Sequence, residues 1–297
     1  MDQTDCVDSS ENNENCGFQR FNLDSPSLPI LISVPHAGRE YSAQLLDNLR
    51  ITPAELQRLE DRYADRLVTT AIASGMPAIV ANRARAWMDL NRGEDELDPE
   101  MVKGGAGGRK VSGSAKMRGG LGLIPRRLTQ CGDIWLRPFD AHDIEQRLSG
   151  FHRPYHKSVE LALRDIRNRY GVALLVDIHS MPPLLPVGGY RPQIVIGDRF
   201  GQSASSLYSE MLLQRLKQTG VAAALNHPYS GDYILRRHGK VQNNIHAIQI
   251  EVDRSLYLDS ELREPGPGLR ATSAVVTELL ALLAELAGGA NMPMAAE

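Results

Sequence analysis

The chain has 297 residues, 42% apolar and 23% charged, with a net charge of −3, a composition that fits a globular protein with a large core and offers no basic field for nucleic acid. No apolar run approaches the ~18 residues of a membrane span, and the N-terminus lacks the basic and apolar regions of a secretory signal. The three cysteines, Cys6, Cys16 and Cys131, show no CxxC spacing, which argues against a disulfide framework or thiolate zinc site and suits a reducing cytoplasm.

Residues 1–20 are acidic, rich in Asn and Ser and poor in apolar side chains, so a disordered tail is expected there. A single domain is expected over 21–287 and a loose tail over 288–297. Residues 28–34 read as a strand that runs into Pro35-His36-Ala37-Gly38. The Gly permits a tight turn; an ordinary strand-to-loop junction is the alternative. Residues 53–74 predict a helix. Pro53 suits its first turn, Leu56, Leu59, Tyr63, Leu67 and Ile72 form an apolar stripe, and Gly75 ends it. Asp61 and Asp65 are four apart and share a face, which on its own reads as a solvated charged surface.

Residues 77–80 begin another strand. Residues 84–92 alternate, placing Arg85, Trp87, Asp89 and Asn91 on one side. Three of the four are polar, as in a site or as on an edge strand with one wet face. Residues 93–138 are glycine-rich and irregular. Without a strand-to-helix context the glycines are not a phosphate loop, and a loop this long predicts a mobile flap near a site, with residues 121–126 as its ordered part. Residues 140–170 are helical. His152 and His156 have a spacing that can bind one metal, but Pro154 lies between them and no Glu takes the HExxH position, so a substrate contact by one of them is favoured.

An apolar run over 172–176 then ends in Asp177-Ile178-His179-Ser180. Its lack of alternation suits a strand covered on both faces, as in a parallel sheet between helix layers. The C-terminal end of such a strand is where ligands bind in open α/β sheets. Asp177 and His179 are two apart and share a face; a hydrogen-bonded core histidine is the alternative. A short strand over 193–196, an amphipathic helix over 202–219 and a turn-rich loop over 226–231 follow. Residues 247–252 form a strand in which Glu251 faces an interior. A buried carboxylate is expensive unless paired, metal-linked or protonated; a structurally paired Glu remains the alternative. The last helix spans about 269–287.

Polar strand ends thus supply His36, His179 and Glu251, with Arg85, Asn91 and Arg92 near one another in sequence. Two imidazoles and a carboxylate suit zinc, with a position left open for water. Arginine forks would fix an anionic substrate.

Seven motifs in this order resemble the N-formylglutamate amidohydrolase family. They are Ser33-Val34-Pro35-His36-Ala37-Gly38, Asp61-Arg62-Tyr63-Ala64-Asp65, Arg85 with Asp89-Leu90-Asn91-Arg92, Pro154-Tyr155-His156, Asp177-Ile178-His179-Ser180, Pro228-Tyr229-Ser230-Gly231, and Gln249-Ile250-Glu251 with Tyr257. Each is weak alone; seven in sequence are specific. The resemblance implies a three-layer α/β/α domain with a mostly parallel or mixed central sheet, similar to zinc carboxypeptidases. It implies metal-dependent hydrolysis of a small anionic N-acyl amino acid, with neither nucleic acid nor membrane as partner. Carried over, zinc sits on His36, Asp61 and His179, and Glu251 is the general base. Arg85, Asn91, Arg92, His156, Ser180 and Tyr229 meet substrate, and Asp65, Asp89 and Asp177 stand behind them. The chain departs from the family pattern at Asp232, where Gly is expected, at Leu235, where Thr is expected, and in its longer glycine-rich insert. Another zinc amidase or small carboxypeptidase, and a non-enzymatic binding protein on the same fold, are the rival readings.

Overall fold

The computed structural model describes residues 17–105 and 111–289. Its strands are β1 (Phe18–Phe21), β2 (Ile30–Val34), β3 (Ala78–Ala81), β4 (Arg127–Leu128), β5 (Gly132–Asp133), β6 (Ala173–Met181), β7 (Ile194–Gly197), β8 (Ala223–Leu225) and β9 (Ile245–Asp253). Seven of them form one sheet in the order β1-β3-β2-β6-β9-β7-β8, while β4 and β5 make a separate hairpin. β2 pairs in parallel with β3 and β6, β6 with β9, and β7 with β8; β7 and β9 run antiparallel. The sheet is therefore mixed and mostly parallel, as expected. All residues of β2, β3, β6 and β7 are buried, so both faces of these strands are covered, which is why their sequences are continuous apolar runs.

The helices are α1 (Ala43–Leu46), α2 (Pro53–Leu56), α3 (Ala64–Leu67), α4 (Thr69–Ala73), α5 (Ala115–Arg118), α6 (Ala141–Arg147), α7 (Arg153–Tyr170), α8 (Ser206–Gln218), α9 (Tyr233–His238) and α10 (Leu269–Gly289). The described residues sort into two compact units, one drawn from 17–19, 35–61, 81–105 and 111–158, the other from 20–34, 62–80 and 159–289. In the second, α10 packs on β2 and β6 and beside α3, α4 and α8. An 18-residue stretch of α10 reaches a mean hydropathy of 1.5, enough by length and composition for a membrane span. Its buried positions Val276, Leu279, Leu280 and Leu283 recur at the spacing of a core-facing stripe.

The first unit carries most of the differences from the sequence reading. Residues 53–74 are not one helix. Thr52 and Glu55 form a capping box with Pro53 in the first turn, but the helix stops at Leu56 and a 3-10 turn runs only to Leu59. The chain then leaves helical geometry through Tyr63, whose φ is +56°, and resumes as α3 and α4. Residues 84–92 are turn and coil rather than a strand, so Arg85, Trp87, Asp89 and Asn91 do not share a strand face. Much of residues 93–138 is built into short elements, and Leu123 and Ile124 are fully buried, as expected for the ordered part; residues 106–110 lie outside the described chain. β1 begins inside the stretch expected to be a tail, and Phe18 packs edge-on to Tyr155 at 5.4 Å. Residues 1–16 and 290–297 of the two expected tails are also outside the described chain. The long helix over 140–170 is present, with a π turn at Leu148–His152 between α6 and α7.

Gly38 serves a different purpose from the expected turn. Glu40 bridges to Arg83, and a Cβ on Gly38 would overlap the Arg83 carbonyl and the Asn82 carbonyl carbon. Backbone cannot yield as a flexible side chain can. Gly38→Ala is expected to destabilise the protein by about 1–3 kcal/mol, read as a lower midpoint in urea. An unchanged midpoint would show that the two segments separate without loss.

Candidate metal centre

His36 follows β2 directly, behind Pro35, and is 2% exposed. Its Nε2 lies 2.7 Å from Asp89 Oδ1 and its Nδ1 3.5 Å from Asp61 Oδ2. Asp89 is fully buried. Arg85 Nε donates to its Oδ2 and the Asn91 amide to its Oδ1, both at 2.8 Å. Burial alone would push the Asp89 carboxyl up, but Arg85, His36 and Arg92 outweigh it and hold the group well below the usual carboxylate range. The turn of residues 84–89 thus delivers an ionised carboxylate to the His36 ring. Arg92, 3% exposed, donates Nε to Leu121 O at 2.9 Å and Nη1 to Asn91 O at 2.6 Å. A carbonyl only accepts, so His152 Nε2 donates to Arg92 O at 2.8 Å. The His152 and His156 rings meet edge-on at 4.5 Å, both fully buried.

Asp61 reaches His36 through the backbone as well, its amide donating to His36 O at 2.9 Å. That bond takes the place of a helical one and explains why the predicted helix breaks. Behind Asp61, Tyr257 Oη donates to Arg62 O at 2.7 Å, Arg62 Nε donates to Arg263 O at 2.6 Å, and Tyr63 Oη donates to Glu264 Oε2 at 2.7 Å. Asp65 sits half-buried in α3, 4.0 Å from Arg66; it shares no helix face with Asp61.

The second cluster sits where β6 and β9 pair. Asp177 is opposite Gln249 and His179 opposite Glu251, so all four project from one face of the sheet. His179 Nε2 lies 2.8 Å from Asp177 Oδ2, and Ser33 Oγ on β2 donates to Asp177 Oδ1 at 2.7 Å. Gln249 Nε2 donates to Glu251 Oε1 at 2.8 Å. Glu251 is 7% exposed. Ser180 Oγ accepts from Arg254 Nε at 3.0 Å, and Ser180 O from Arg254 Nη2 at 3.3 Å. Tyr229 is half-buried in the loop after β8, which Asn226 ties down by accepting from the Asp198 amide at 3.0 Å.

His36, Asp61 and His179 are all buried, and one ligand atom from each lies within 4.8 Å of the others, so the three can hold a metal ion. Ser33, Gln249 and Arg254 are contributors that reading the sequence for site residues missed. The first two carried a signal: a polar residue inside an apolar strand, and an amide two residues ahead of Glu251. Arg254 lies beyond the end of β9 and had none.

The sequence pattern of the N-formylglutamate amidohydrolase family matches residues 28–258. The N-formylglutamate deformylase of Pseudomonas putida is 30% identical over 238 residues, 78% of this chain and 82% of its own length. That of Pseudomonas aeruginosa is 26% identical over 261 residues, 85% of this chain and 91% of its own. The crystal structure of N-formylglutamate amidohydrolase from Ralstonia eutropha JMP134 matches with a TM-score of 0.84 at 25% identity, over 93% of this chain and 99% of that one. A gene product of Agrobacterium tumefaciens shares the fold, with a TM-score of 0.62 at 16% identity over 91% and 95% of the two chains. The family match takes in every strand from β2 to β9 and with them His36, Asp61, Asp89, Asp177, His179 and Glu251; the chain belongs to the N-formylglutamate amidohydrolase family.

Proposed function

We propose that the protein hydrolyses the amide of N-formyl-L-glutamate to formate and glutamate, with one zinc ion held by His36, Asp61 and His179. The observation that carries this reading is the buried His-Asp-His group with a carboxylate behind each histidine. The residues fit the ion. Zinc–ligand bonds of about 2.0–2.1 Å in a tetrahedron place two ligand atoms about 3.3 Å apart. His36 Nδ1 and Asp61 Oδ2 stand at 3.5 Å. A metal-bound histidine donates its other N–H to a carboxylate or carbonyl, so both histidines would ligate through Nδ1, with Nε2–H held by Asp89 and Asp177. Three protein ligands leave the open position of a catalytic site.

Zinc, when bound, supplies a Lewis acid for the amide carbonyl and a lowered pKa for water. Glu251, in register beside His179, is the general base. Gln249 fixes its Oε1, and Oε2 is the oxygen we assign to take a proton from water and pass it to the leaving nitrogen. Arg85, Asn91 and Arg92 face the carboxylates of the substrate, and His156, Ser180 and Tyr229 complete its pocket. The deformylase activity of the Pseudomonas relatives supports the substrate.

Three outcomes test the reading. The purified protein should carry about one zinc per chain, and His179→Ala should lose it with the fold retained by circular dichroism. Full zinc occupancy in that variant removes His179 from the ligand set. Glu251→Gln keeps the shape and should keep the zinc while turnover falls roughly 10²- to 10⁴-fold; normal turnover, or a metal-free protein, contradicts the assignment. Arg92→Lys should raise KM for N-formyl-L-glutamate by at least about tenfold, since a hydrogen bond to a charged group contributes about 1.5–3 kcal/mol and 1.4 kcal/mol is tenfold. N-formyl-L-glutamine should be affected less. Equal losses on both substrates would make Arg92 a loop anchor only, which its bonds to Leu121 O and Asn91 O already require in part.

A further inference from the structure

Arg147, at the end of α6, is 1% exposed and is the bulkiest of the fully buried side chains. Among the described residues its guanidinium makes one hydrogen bond, Nη1 donating to Trp87 O at 3.1 Å; Nε and Nη2 have no hydrogen-bond partner, nor has Trp87 Nε1. In place of a carboxylate it has two aromatic faces. Its Cζ lies 3.9 Å from the Trp87 ring centroid and 4.0 Å from that of Phe139. Burial pulls the group down to about 10, with Arg83 adding to the fall and Asp143 opposing it, so it is still charged at neutral pH. A buried cation without a carboxylate is costly, and cation–π contacts in a dry environment offset part of that cost.

The clamp holds a segment that matters. Trp87 lies midway between Arg85 and Asp89, in a turn closed by the Trp87 amide donating to Ala84 O at 2.8 Å. Arg85 and the Asn91 amide grip Asp89, and Asp89 grips His36 Nε2. Fixing both the carbonyl and the ring of Trp87 therefore fixes where Asp89 meets the His36 ring. We propose that Arg147 is a positioning residue for the metal site, clamping the turn of residues 84–89 so that Asp89 orients His36 for zinc. The inference rests on the zinc reading above. Only a flat guanidinium stacks on two rings and donates to a carbonyl at once, so lysine should not substitute.

The test is the zinc dissociation constant, measured by competition with a chromophoric chelator for the wild type, Arg147→Lys, Arg147→Met, Asp89→Asn and the Arg147→Met/Asp89→Asn double variant. Residues behind a metal ligand typically contribute about 10- to 100-fold in affinity. Arg147→Met and Arg147→Lys should each weaken zinc at least about tenfold, and Asp89→Asn likewise. In the Asp89→Asn background Arg147→Met should add less than about twofold, because residues acting through one contact are not additive. Should Arg147→Met fail to fold, Phe139→Leu, which keeps the charge and the carbonyl bond, should weaken zinc about threefold by the same assay, and that loss should vanish beside Asp89→Asn. If the wild type binds zinc and the Arg147 and Phe139 variants bind it equally well, or if their losses persist in full beside Asp89→Asn, the clamp is only structural. A wild type that holds no zinc overturns the metal reading itself, and this inference with it.

Discussion

Two carboxylates with no exposure at all, Asp89 and Asp177, set the terms for the residues around them. A buried carboxylate is tolerated only when its oxygens are hydrogen-bonded and its charge is answered. Each has one oxygen on an imidazole, Asp89 on His36 and Asp177 on His179, and the other on a fixed donor, Arg85 or Ser33. The same bonds that make burial tolerable set the tautomer and plane of both rings. The histidines are thereby oriented before any ion arrives, so ordering them adds little to the cost of binding.

The pairing of β6 with β9 does the equivalent for Glu251, the proposed base. Nine residues of each strand lie in register, and His179 meets Glu251 across the pair. A slip of one residue would send Glu251 to the opposite face. Such a slip would also misplace the apolar positions of β9, nearly all buried. The apolar core therefore enforces the placement of the polar residues at the strand ends. It also explains why Gln249 is tolerated inside: it answers Glu251 Oε1 across a single strand spacing.

What the sequence disclosed follows from these constraints. β2, β6 and β9 were legible because two-sided burial leaves a continuous apolar run, and His36, His179 and Glu251 stood out as polar ends of such runs. Residues 53–74 and 84–92 misled for a physical reason. Asp61 is drawn to the His36 backbone and Tyr63 adopts a positive φ, so the apolar stripe around them comes from a buried loop, not from a helix. The apparent alternation from Arg85 to Asn91 arises likewise from a turn in which Asp89 is wrapped by its neighbours. Buried polar side chains in a loop mimic the periodicity of regular elements without forming them. Asp61 was singled out only by family resemblance, since its partner lies in a different motif. Arg147 left no trace, because a lone Arg on an amphipathic helix reads as solvent-facing.

Arg92 carries a scaffold role beside the recognition proposed for it. Its Nε and Nη1 are bound to main-chain carbonyls, and its own carbonyl is bound by His152. These bonds fix the plane of the guanidinium. A planar fork held in one orientation gives up little rotamer entropy when it meets a carboxylate, whereas a lysine at the same place would be free to rotate. Loop anchoring and the anion recognition proposed for this residue are thus compatible. The first would give the second its geometry, and lysine at this position would be expected to weaken both together.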